Sequence, residues 1–268
     1  MAYTAEASIP AEFEAFRQHA YRITGLDLTS YKAPQMHRRL SSLLARLRIS
    51  SFTEYARVLE RDAQRRDEFR DYVTINVSEF FRDVDRFGDL ERRVLPGLLE
   101  RGHGLRVWSA GCSIGAEAYS IAILLNELAP GRMHSVLATD IDATILQRAR
   151  AGTGYVAADL RNAGADRVRR WFVAAADGRF NVGPAARMGV RFSKQDLLRD
   201  AYPRGPFDLI ACRNVVIYFT EEAKERIYQG FVEALAPGGV LFLGGTEAIM
   251  RPQMLGLIVT GPGFYRKG

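Results

Sequence analysis

Val107-Trp108-Ser109-Ala110-Gly111-Cys112-Ser113-Ile114-Gly115 decides the fold of this chain. An apolar run that reads as a buried strand meets a glycine turn, and a helix is predicted over 115–129. Glycine lets the backbone turn tightly and lets a ligand come close to it. The helix start offers unpaired N–H groups to a polar ligand. Further on, Val136-Leu137-Ala138-Thr139 is a second apolar run, and it ends on Asp140. A carboxylate at the end of the second strand of such a unit can accept hydrogen bonds from ribose hydroxyls. Together the two runs predict a nucleoside-containing cofactor lying across the carboxyl ends of parallel strands.

The turn is not a dinucleotide fingerprint, because Gly111 and Gly115 are four apart and no G-x-G-x-x-G occurs. Glu117, in the first helical turn, complements the helix dipole. The same charge would repel a phosphate, so an S-adenosylmethionine site suits the turn better than a pyrophosphate site. A sharp strand-to-helix turn without a ligand is the plain alternative, and Asp140 and Glu117 both weigh against it.

Outward from this unit the chain alternates. Strands are predicted at 105–110, 134–139, 189–193, 207–212 and 238–244, and helices at 115–129, 142–150 and 220–235. Such alternation implies a parallel sheet with helices on both faces. A closing hairpin turns through Gly261-Pro262-Gly263. The stretch between 150 and 189 is too long for a bare connection. It holds a helical segment at Asp166–Trp171 and a hairpin signal at Ala176-Asp177-Gly178, so a small lobe is expected there. Residues 11–72 read as a separate helical bundle. Phe13, Phe16, Ala20 and Ile23 make one stripe, and Met36, Leu40, Leu43, Leu44 and Leu47 make another.

With 47% hydrophobic and 25% charged residues, the composition is that of an ordinary globular protein. No run approaches a membrane span, the first residues lack signal-peptide character, and a cytoplasmic location is expected. The two cysteines, Cys112 and Cys212, suggest no disulfide framework, and the four scattered histidines suggest no metal. The net charge of +6 is uneven: between Asp27 and Glu54 there is no carboxylate, while Lys32, Arg38, Arg39, Arg46 and Arg48 fall in that window. This is either a solvated face or a docking surface for an acidic partner.

Four blocks make the chain resemble the CheR-type chemotaxis receptor methyltransferases over nearly its whole length. Thr74-Ile75-Asn76-Val77-Ser78-Glu79-Phe80-Phe81-Arg82 is similar to that family's T-x-N-x-[ST]-x-F-F-R. Val107 to Ser120 is similar to its cofactor turn, and Ala138 to Asp142 to its second-strand block. Phe207 to Phe219 is similar to its fourth-strand block. The resemblance implies a Rossmann-like S-adenosylmethionine-dependent methyltransferase sheet, an α/β fold. It also implies an N-terminal helical domain at 1–74, a linker and connecting helix at 75–104, and a methyltransferase domain at 105–268. A small β subdomain is inserted at about 152–188.

The resemblance further implies residue roles. Asn76, Ser78 and Arg82 close over the cofactor's methionine end, and Glu117 contacts that end. Gly111 belongs to the turn, Asp140 binds ribose, and Asp196 and Leu197 lie on the adenine side. Arg213, Asn214 and Tyr218 line the cleft beside the sulfonium, with Arg82 and Tyr218 positioning the reactants. Arg38, Arg39 and Arg46 would dock the substrate. The implied activity is methyl esterification of glutamates on chemoreceptor cytoplasmic helices, by a monomer and without a C-terminal peptide tether, since the hairpin is short. Three departures stand out: Ala116-Glu117-Ala118-Tyr119 lacks an acid and a proline, Ile114 replaces threonine, and Gly245 replaces histidine. A nucleic-acid methyltransferase would suit the basic sequence, but the aromatic platforms and basic groove it needs are not evident. A non-catalytic cofactor-binding scaffold is the third reading.

Overall fold

The computed structural model describes residues 9–74 and 78–268. It forms two compact units. One comprises residues up to 74 with Tyr218–Glu225; the other comprises 78–217 with Arg226–Gly268.

The first unit is built from α1 (Ala11–Thr24), α2 (Ala33–Leu47), α3 (Phe52–Arg61) and α4 (Ala63–Thr74). Its centre is aromatic. Phe16 lies against Phe52, Tyr55 and Phe69 with ring centroids 5.3–6.1 Å apart. Gly25 ends α1 in the left-handed region at φ 76°, and Pro34 sits at the start of α2. Ser51 caps α3 by accepting the Glu54 N–H, and Glu54 accepts the Ser50 N–H in return. The Lys32 N–H donates to the Tyr218 carbonyl and the Thr220 N–H to the Ser30 carbonyl, both at 2.9 Å, which fixes Tyr218 in this unit.

The second unit opens with a helical rod: α5 (Val84–Asp89), a π turn (Leu90–Val94) and α6 (Leu95–Leu99). Then come β1 (Arg106–Ala110), α7 (Ala116–Leu128), β2 (Ser135–Asp140) and α8 (Ala143–Ala151). The inserted segment holds α9 (Ala165–Trp171), β3 (Phe172–Ala174), β4 (Phe180–Val182) and α10 (Pro184–Arg187). The chain continues through β5 (Val190–Lys194), β6 (Phe207–Cys212), α11 (Glu221–Ala234, counted with the first unit up to Glu225), β7 (Leu235–Leu243), β8 (Leu257–Gly261) and β9 (Phe264–Lys267). The main sheet has the order β5-β2-β1-β6-β7-β9-β8, parallel from β5 to β7, with β9 and β8 antiparallel at one edge. α7 is apolar on nearly every face and buried along most of its length, which makes it a central covering helix. β7 begins at Leu235, three residues before its predicted start. Leu235 pairs with Phe207, and the register shifts before Leu209 meets Val240. β3 and β4 pair antiparallel as a separate two-stranded sheet.

Candidate functional site

The carboxyl ends of β1, β2 and β6 carry Gly111, Asp140, Arg213 and Asn214. After β1 the chain turns at Gly111, φ 83°, with the Gly111 and Cys112 N–H groups donating to the Thr139 carbonyl at 2.8 and 2.9 Å. A side chain at Gly111 would put its Cβ 2.5 Å from Val215 Cγ2, so only glycine lets the turn pass. Asp140 ends β2. Its Oδ2 accepts the Ser113 N–H at 2.8 Å and its Oδ1 the Asp142 N–H at 3.0 Å, so one carboxylate organises both turns. Burial raises its pKa from 3.8 to about 6, against the pull of these N–H donors. The Gln195 N–H donates to the Asp140 carbonyl at 2.9 Å, which brings the loop bearing Asp196 and Leu197 to the same strand end. There Asp196 Oδ1 accepts the Leu198 N–H, and the Leu197 carbonyl accepts the Tyr202 hydroxyl.

A second cluster is built around Arg213. Its guanidinium donates to the Arg82 carbonyl at 2.8 Å and to Asp83 Oδ2 at 2.6 Å, and it lies 3.4 Å from Glu117 Oε2. The Phe87 and Phe242 rings cover it at 5.1 and 4.7 Å. Glu117 also accepts the Ser109 hydroxyl at 2.7 Å. Burial pushes the Glu117 carboxyl up, while Arg213 and Ser109 pull it down. Arg82 stands between two non-glycine residues in the left-handed region, Phe81 at φ 54° and Asp83 at φ 60°. Such conformations persist only where surroundings hold them. Here the Phe80 N–H donates to the Asp159 carbonyl and the Phe81 N–H to Ser120 Oγ, while the Phe80 ring meets Tyr155 and Phe172 edge-on. Ser78 is half-buried. Asn76 lies outside the described residues.

Asn214, φ 60°, follows β6. Its side-chain Oδ1 and the Nε of Arg213 are buried without a hydrogen-bond partner among the described residues. Buried polar atoms of this kind need a partner, and S-adenosylmethionine, which carries donors and acceptors at both ends, fits them. The acid at Asp140 suits ribose hydroxyls, the acid at Glu117 suits an ammonium, and the glycine turn admits close approach. Among the described residues no three His, Cys, Asp or Glu side chains are grouped to hold a metal. No helix among them is long and apolar enough to cross a membrane.

Sequence reasoning missed Ser109, Asp83 and Glu247 as supports. Asp83 directly follows the F-F-R block, which was a usable signal. Glu247 gave none, because what it binds is backbone.

The first unit has its own cavity of about 340 Å³, lined by Lys32, Gln35, Met36, Arg38, Arg39, Ser42 and Tyr218. Arg38 is exposed. Arg39 Nε donates to the Tyr72 carbonyl at 3.1 Å, and its guanidinium lies over the Tyr72 ring at 4.6 Å. Arg46 also lies over Tyr72, at 5.2 Å, but it lines a separate hollow that includes Glu68 and Asp71. The structure therefore gathers Arg38, Arg39 and Tyr218, and leaves Arg46 beside acids that are distant in sequence.

Comparison with known proteins agrees with this geometry. The family model for the CheR methyltransferase all-alpha domain matches residues 11–74, and that for the CheR methyltransferase SAM-binding domain matches residues 76–260. A chemotaxis protein methyltransferase of Listeria innocua is 44% identical over 253 residues, 94% of this chain and 95% of that protein. Chemotaxis protein methyltransferase 1 of Pseudomonas aeruginosa is 36% identical, over 96% of this chain and 97% of that protein. The chemotaxis protein methyltransferase of Salmonella typhimurium is 36% identical, over 88% and 83%.

Proposed function

Since the chain belongs to the CheR methyltransferase family and is an S-adenosylmethionine-dependent methyltransferase, we propose that it esterifies glutamate side chains on the cytoplasmic helices of a chemoreceptor. The observation that carries this choice of acceptor is the cavity lined by Lys32, Arg38, Arg39 and Tyr218, whose cations and hydroxyl suit a carboxylate. A glutamate side chain ordinarily titrates at about pH 4.3, so it is already ionised at neutral pH and needs no base. S-adenosylmethionine, when bound, supplies an electrophilic methyl group. Asn76, Ser78, Arg82, Gly111, Glu117, Asp140, Asp196, Leu197, Arg213 and Asn214 hold it. Arg82 and Tyr218 orient the reactants, so this chain's contribution is alignment and desolvation of opposite charges. Arg38 and Arg39 steer the acidic helices, with Arg46 as a weaker contributor. The protein acts as a cytoplasmic monomer without a peptide tether, a reading supported by the brevity of β3 and β4, three residues each.

The test is to incubate the protein with methyl-labelled cofactor and receptor-bearing membranes. Label on the receptor that alkali releases as methanol is the expected result. Label that survives alkali would assign the methyl to an amine or a ring nitrogen and overturn the carboxylate acceptor.

A further inference from the structure

The loop after β6 is gripped by one carboxylate. Glu247, only 6% exposed, accepts four backbone N–H groups. Its Oε2 takes those of Gly244 at 2.7 Å and Asn214 at 2.8 Å; its Oε1 takes those of Val215 and Val216 at 3.0 Å each. Charge-assisted bonds of this kind are about twice as strong as neutral ones. They join the end of β7 to the loop after β6. The approach is so close that a Cβ on Gly244 would stand 2.6 Å from Glu247 Oε2 and 3.0 Å from the Asn214 nitrogen.

Asn214 also sits in the left-handed region, and its Oδ1 and the Arg213 Nε are buried with no hydrogen-bond partner among the described residues. A loop held this firmly, in an uncommon conformation, with polar atoms left unsatisfied, is shaped for a ligand and not for its own stability. We infer that Glu247 is a positioning residue for the cofactor: it acts through the loop after β6 by holding Arg213 and Asn214 in their binding conformation. This rests on the assignment of those two residues to the cofactor. The inference needs the charge as well as the shape of Glu247. An amide at this position would keep one acceptor oxygen and turn an NH2 group towards two backbone N–H donors.

The experiment uses the full chain and S-adenosylhomocysteine as probe, with affinity measured by calorimetry for Glu247→Gln, Asn214→Ala and the double variant. Each single variant should bind about tenfold or more weakly. The double variant should bind no more weakly than Glu247→Gln alone, because Asn214 would already be misplaced. In steady state, Glu247→Gln should raise the KM for S-adenosylmethionine and leave the KM for receptor unchanged. Loss of folded enzyme would instead lower kcat and leave both KM values alone. Unchanged affinity in Glu247→Gln, or penalties that multiply in the double variant, would overturn the inference. Unchanged affinity in Asn214→Ala alone would instead show that the cofactor assignment of the loop fails, and the inference with it. Should Glu247→Gln not fold, Gly244→Ala pushes on the same carboxylate; it should give the same loss, and wild-type affinity there would equally sink the idea.

Discussion

Asp140 ties the strand ends to pH. Burial raises its pKa from 3.8 to about 6. In the free protein the native state therefore takes up this proton more readily than the unfolded chain. The stabilisation from this group is fully present below its unfolded value and is lost as pH rises through about 6. Cofactor binding has the opposite sign, because ribose hydroxyls donate to the ionised carboxylate and favour it. Affinity for S-adenosylhomocysteine should thus be level above about pH 6 and fall towards tenfold per unit below it. Glu117 is also raised by burial, so the variant Asp140→Asn separates the two. It should flatten the profile and weaken binding by roughly ten- to a hundredfold at neutral pH, in line with the ~1.5–3 kcal/mol of a charged hydrogen bond. Titration calorimetry across pH 5–8 decides this, and a wild-type profile without a break near 6 would reject the ribose assignment.

The β1–turn–α7 element depends on one glycine as much as on its apolar pattern. Gly111→Ala must place a side chain at φ 83° with its Cβ 2.5 Å from Val215 Cγ2. Left-handed strain and overpacking each cost about 1–3 kcal/mol. The urea midpoint should drop accordingly, and cofactor affinity should fall in the fraction that stays folded. A midpoint equal to wild type would mean that the turn relaxes freely. This element was legible because its signals are local: an apolar run, a glycine, an acid at a fixed offset. The helices of the first unit were legible for the same reason, from the stripe of Phe13, Phe16, Ala20 and Ile23 and the stripe of Met36, Leu40, Leu43, Leu44 and Leu47. What the sequence hid is non-local. Arg213 reaches Asp83 across 130 positions, and Glu247 reaches the 214–216 backbone across more than thirty. No periodicity encodes such a pairing. The start of β7 was hidden by the register shift near Phe207, and the acids beside Arg46 belong to α4, a different helix.

Across the whole chain the six surplus positive charges matter by where they lie. Three arginines were grouped by sequence as one docking face, and the structure ranks them. Arg38 is exposed at the mouth of a cationic cavity. Arg39 lines the same cavity but also holds the Tyr72 carbonyl and ring. Arg46 lines a separate hollow that also holds Glu68 and Asp71. Reversal to glutamate should therefore act differently at each position. Arg38→Glu should raise the KM for receptor several-fold with Tm unchanged. Arg39→Glu should raise it similarly and lower Tm as well, since it loses its contacts to Tyr72. Arg46→Glu should have the smallest effect on receptor KM. None should alter affinity for S-adenosylhomocysteine, whose assigned ligands among the described residues lie in the second unit. Because exposed charges are screened over about 10 Å at 0.1 M salt, the Arg38→Glu penalty should shrink as salt is raised. Equal effects at Arg38 and Arg46, or a penalty indifferent to salt, would show that the cationic cavity does not receive the acidic acceptor and that this face is merely solvated.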